Sequence, residues 1–76
     1  MNAPILIEKN AKEHVRVSLA EFKGHELIDV RVFAGSRITG DIVATKSGIC
    51  LRVQKLPELI AALQVAEAEA RARGWL

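Results

Sequence analysis

Between His14 and Leu19 apolar and polar residues alternate, with Val15, Val17 and Leu19 set against His14, Arg16 and Ser18. A period of two predicts a strand with one face buried. The alternation resumes from His25 to Ala34, where Ile28, Val30, Val32 and Ala34 share one face and Leu27, Asp29, Arg31 and Phe33 the other. The segment between, Glu21-Phe22-Lys23-Gly24, predicts a turn in which Gly24 takes a positive φ. Gly35-Ser36-Arg37 and Thr39-Gly40-Asp41 are further turn chemistry, leading to a third main strand over Asp41 to Ala44. Thr45-Lys46-Ser47-Gly48 then reads as a loop, and Ile49 to Val53 as a fourth strand with Ile49, Leu51 and Val53 on one face.

The period changes after residue 54. Leu56, Leu59, Ile60, Leu63, Ala66 and Ala70 follow the i, i+3, i+4 spacing of an amphipathic helix. Pro57 is tolerated only in a first turn, which starts the helix near Gln54 or Lys55. Arg71 and Arg73 suit the negative end of the helix dipole, and Gly74 is a fitting stop. The expected organisation is one α+β domain: an N-terminal arm over 1–12, a four-stranded antiparallel sheet over 13–53 and one C-terminal helix over 54–74. Ile5 to Ile7 read as either a short strand or part of that arm.

Composition adds the quaternary expectation. Half of the 76 residues are hydrophobic, more than so small a domain can hide. The Leu/Ile/Ala stripe of the helix is wider than one sheet needs, so two helices are expected to pack across a two-fold axis as a homodimer. The formal net charge is +2. Nine Lys or Arg stand against six Asp or Glu in residues 1–55, and two against three in residues 56–76. The basic excess therefore lies on the sheet half. The single cysteine, Cys50, rules out an internal disulfide and suits a reducing compartment; it is expected to be buried and inert. No apolar run approaches the roughly 18 residues of a membrane span, and the N-terminal residues lack the features of a signal peptide. The chain is expected to be soluble and intracellular, in cytoplasm or nucleoid.

Enzyme chemistry has little footing. His14 and His25 have no Cys or carboxylate neighbours at metal-ligand spacing. Ser18 and Ser47 lie in no nucleophile motif, and the GSRITG segment has no phosphate-loop pattern. No metal, cofactor or small-molecule substrate is expected. The residues that invite a ligand are aromatic and basic. Phe22 beside Lys23 offers a ring for a base and an ammonium for a phosphate, or else the ring folds back as a core plug. Arg31 and Phe33, two apart on one strand face, make a stacking platform unless Phe33 faces the core or a partner. Lys46 sits before Gly48, and Lys12, Arg16, Arg37 and Arg52 are candidates for a basic groove.

The blocks SLAEFKGHELIDVRVF, TKSGICL and LPELIAAL, in that order and spacing, resemble the positive-cofactor-four transcriptional coactivators. The resemblance runs from Val15 to Leu63. It implies a curved four-stranded sheet and a helix that dimerises through the helices. The implied activity is binding of single-stranded or melted DNA, largely without sequence preference, in transcription and DNA maintenance, with the transcription machinery as a further partner. The site residues it implies are Phe22, Lys23, Arg31, Phe33, Lys46 and Ser47, with Arg16 and His25 joining them on the groove. Two positions depart from the pattern. Ala34 stands where the family has an aromatic, often Trp, and Ser47 replaces the second cation of the loop. A protein-interaction dimer of the same fold, or a binder of single-stranded RNA, are the alternative functions.

Overall fold

The computed structural model describes residues 3–36 and 39–76. Four strands, β1 (Ile5–Glu8), β2 (Glu13–Phe22), β3 (His25–Gly35) and β4 (Ile42–Arg52), form one antiparallel sheet in chain order. A 3₁₀ turn (Val53–Lys55) leads into the helix α1 (Leu56–Ala72). The α+β plan is as expected, but the four strands are not the four expected ones. Ile5–Glu8 belongs to the sheet, paired with β2 from Ile5 opposite Val17 to Glu8 opposite His14. The expected third and fourth strands are a single strand, β4, and Thr45 to Gly48 lie within it.

Each junction has a local cause. Asn10 turns β1 into β2: its Oδ1 accepts from the backbone N–H groups of Lys12 and Glu13, both at 2.9 Å, and its side-chain amide donates to the Glu13 carboxylate. That hydrogen bond, with Lys9 at 3.2 Å, holds the Glu13 carboxyl below its usual range. Between β2 and β3 the loop has only two residues. Lys23 and Gly24 have φ of 51° and 80°, the paired positive values of the tight turn that matches strand twist. At the β3–β4 turn Ser36 accepts from Gly40 N–H and donates to Asp41 C=O; Arg37, named above for the groove, lies outside the described residues. Pro57 falls in the first turn of α1, and Gly74, at φ 76°, ends it.

The register sorts the two faces. Ile7, Val15, Val17, Leu19, Ile28, Val30, Ile49 and Leu51 share one face. Leu56, Leu59, Ile60 and Leu63 of α1 look onto it across an apolar cleft of about 540 Å³. Few direct contacts join helix and sheet, and among the described residues only Ile28 is fully buried, at 4% exposure. The chain exposes 6254 Å², whereas a folded monomer of 8.3 kDa exposes about 4,600 Å². The apolar face is therefore formed but not covered. No helix among the described residues is long and apolar enough to cross a membrane.

Candidate nucleic-acid interface

The opposite face carries the polar and aromatic side chains. The two-residue turn pairs Phe22 with His25 and, counting outward, Arg16 with Arg31 and His14 with Phe33. Alternation along β2 and β3 puts all six on one face with Ser18 and Asp29. The structure thus brings Arg16, Arg31 and Phe33 together in mid-sheet and sets Phe22, Lys23 and His25 at the hairpin tip.

At the tip, Phe22 is 62% exposed, so within one chain the ring does not fold back as a core plug. The Lys23 ammonium lies 5.4 Å from the ring centroid. Ring and cation are thus presented jointly to solvent, and His25 is exposed across the turn from them.

In mid-sheet, two arginines face each other across the β2–β3 pair, where like charges repel. They splay apart. Arg31 turns to Asp29, its Nε and Nη2 donating to the carboxylate at 3.1–3.3 Å, and its Nη1 donates to the carbonyl of Thr45 at 3.2 Å. Arg16 turns the other way, with its guanidinium carbon 3.9 Å from the Phe33 ring centroid and its Nη2 3.4 Å from His14 Nε2. The His14 and Phe33 rings are parallel within 8°, their centroids 5.7 Å apart. Phe33 is half-buried on this polar face, not in the apolar one.

The expected Lys46 loop is a bulge in β4. Arg31 pairs with Gly48 but Phe33 with Ala44, so Val32 alone spans the stretch opposite Thr45, Lys46 and Ser47. The Thr45 hydroxyl pins it, donating to Val32 C=O at 2.8 Å and accepting from Ser47 N–H at 3.2 Å. Gly48 lets the strand resume: at φ 152°, a Cβ there would strike Val30 O and come within 2.8 Å of Arg31 Cα. Lys46 and Ser47 are exposed beside the Arg31–Thr45 contact. Lys12 and Arg52 are exposed as well.

One expectation needs correction. Cys50 is exposed, not buried. It pairs with Asp29 on the polar face, away from the helix, because alternation puts Ile49 and Leu51, not Cys50, over the apolar side. The Arg31 guanidinium is shared with Asp29. Sequence reasoning also missed His14 and Thr45. His14 becomes visible once the turn is taken as Lys23-Gly24 alone, since that register sets it opposite Phe33. Among the described residues no group of three His, Cys, Asp or Glu could hold a metal ion.

A sequence model of the Transcriptional Coactivator p15 (PC4) family matches residues 9–62. The chain belongs to the PC4 family. The match takes in β2, β3, β4 and the first part of α1, hence the whole polar face described above. A PC4 homologue from Burkholderia pseudomallei K96243 is similar over 84% of this chain and 94% of its own, at 32% identity and a TM-score of 0.75. The bacteriophage T5 homologue of PC4, implicated in recombination-dependent DNA replication, shares the fold at 24% identity and a TM-score of 0.73, over 95% of this chain and 85% of its own. The protein of the MoSub1–DNA complex is 28% identical, with a TM-score of 0.64, over 93% of this chain and 86% of its own. No curated protein matches the chain in sequence.

Proposed function

We propose that this PC4-family chain is a non-enzymatic, homodimeric protein that binds single-stranded or melted DNA with little sequence preference and acts as a transcription regulator. The observation that carries the reading is the face holding exposed Phe22 and Lys23 at one end and Arg16 with Phe33 at the other. Rings for bases beside cations for phosphates are the working parts of a single-strand surface. MoSub1, similar to this chain over most of its length, was crystallised with DNA. Lys23, Lys46 and Arg31 hold phosphates with help from Ser47 and His25; Phe22 and the Phe33 end of the face take bases.

The homodimer reading rests on the uncovered apolar side. The excess over a monomer's surface is about 1,700 Å², against the roughly 800 Å² per partner that a stable interface buries. A second copy of α1 fits this requirement, being apolar along the same stripe.

Fluorescence anisotropy of a labelled oligo-dT of about 20 nucleotides, with duplex competitor and across a salt series, tests the function. Binding should resist duplex and weaken with salt, log K falling by about 0.7 per phosphate neutralised for each decade of salt. Unchanged anisotropy at low salt would sink the DNA reading and leave a protein-interaction dimer; preference for the matched RNA oligomer would move the ligand to RNA.

Two variants sharpen the result. Phe22→Ala should weaken binding by about 1–3 kcal/mol while leaving the melting temperature unchanged, because the ring packs on little. A fall in melting temperature instead would make Phe22 structural. Asp29→Asn should tighten binding and steepen the salt slope by about 0.7, since it releases Arg31 from its carboxylate. An unchanged slope would mean that Arg31 serves the bulge and never reaches DNA.

A further inference from the structure

The Phe33 ring, a stacking candidate by sequence, does not lie open: Arg16 covers it. We propose that the Arg16 guanidinium itself is the stacking plane of a nucleobase subsite, with Phe33 and His14 as its support. The inference rests on the single-strand reading above and says which group a base meets at that end of the face.

Three observations carry it. The first is distance. At 3.9 Å from the ring centroid, the guanidinium carbon is in van der Waals contact, the separation of one flat group laid on another. An arginine stacked on an aromatic face keeps its second face for another planar group, and guanidinium planes are among the surfaces on which unstacked bases lie. The second is what holds the plane. Arg16 Nε is buried with no acceptor, and no carboxylate pairs with Arg16 among the described residues. The ring beneath it and His14 Nε2 at 3.4 Å therefore orient it, not an ion pair. Arg31, its cross-strand partner, is tied on two sides and points elsewhere. The third is placement. Arg16 and Phe22 lie on the same face of β2, six residues apart and so about 20 Å along the strand. One strand of nucleic acid laid along β2 would reach Phe22 with one base and Arg16 with another several nucleotides away.

The test separates a plane from a charge. Arg16→Lys keeps the cation and removes the plane. Oligo-dT affinity should fall about five- to tenfold with the salt slope unchanged. On an oligomer of the same length whose central nucleotides are abasic, wild type and variant should bind alike. Phe33→Leu, which takes away the support, should reproduce the loss on oligo-dT and its absence on the abasic oligomer. Thermal melts of both variants, matched to wild type, exclude misfolding, and either variant alone suffices if the other melts early. Wild-type affinity in Arg16→Lys, a shallower salt slope, or an equal loss on abasic DNA would each overturn the subsite and make Arg16 a phosphate contact or a structural residue. Failure of the wild type to bind oligo-dT would sink the single-strand reading and the subsite together, whereas binding with an indifferent Arg16→Lys sinks the subsite alone.

Discussion

Leu63→Glu should convert the proposed homodimer into a largely unfolded monomer. Leu63 is 60% exposed in the single chain, yet it lines the same apolar cleft as Ile7, Val17, Ile28 and Val30. With Ile28 alone fully buried among the described residues, one chain has too little core to stand by itself. If the cleft is filled by the second copy, a carboxylate at position 63 is buried in apolar surroundings at a cost of several kcal/mol. Two-fold symmetry applies that cost twice. Sedimentation equilibrium at micromolar concentration and far-ultraviolet circular dichroism read the two losses together. Leu63→Met, which nearly conserves volume, should remain dimeric. A folded Leu63→Glu dimer with the wild-type melting temperature would place the interface elsewhere.

The second large effect is expected at Gly48. Gly48→Ala should destabilise the fold by about 2–4 kcal/mol, which for a domain of this size lowers the melting temperature by about 10–25 °C. The cause is twofold. The φ of 152° is foreign to residues with a side chain, and the added methyl meets backbone on β3, not the yielding end of a side chain. Relief requires moving β4 away from Arg31, and with it the Thr45 carbonyl that Arg31 holds and the neighbouring Lys46. DNA affinity should therefore fall further than stability alone accounts for. Gly35→Ala is the matched control, because a Cβ there meets nothing within 4 Å. Equal melting of the two variants would show that the bulge adapts and that its glycine is dispensable.

The elements carried by strong periodicity were legible in the sequence. β2 and β3 announce themselves by alternation, and α1 by its Leu/Ile stripe, Pro57 and Gly74. What stayed open or escaped were features set by partners far along the chain. Ile5 to Ile7 have no polar alternation of their own, and only pairing with β2 makes them a strand. Thr45-Lys46-Ser47-Gly48 has loop composition because a bulge needs the same residues as a loop: a hydroxyl to satisfy freed backbone groups and a glycine for close approach. The candidate site was legible as a set of residue types but not as a geometry. Phe22, Lys23, Arg16 and Phe33 were all in view, while the contact that defines mid-sheet, Arg16 on Phe33, depends on a register that shifts by two residues if the turn is drawn as four instead of two. Cys50 was misjudged because a strand residue's burial depends on which face it points from, and Cys50 points from the polar face, away from the helix.

The strand order also has a consequence for how the polypeptide comes into being. Every pairing in the sheet joins segments adjacent in the chain, and the β2–β3 closure spans only two residues, so loop-closure entropy is small and zipping is fast. The helix comes last in the chain. During synthesis the strands are therefore free to begin pairing before their apolar residues have anything to rest against, and for that interval the nascent chain leaves those residues exposed. Speed of local pairing, an advantage elsewhere, here lengthens the exposure until the helix and, in the proposed homodimer, a second chain arrive.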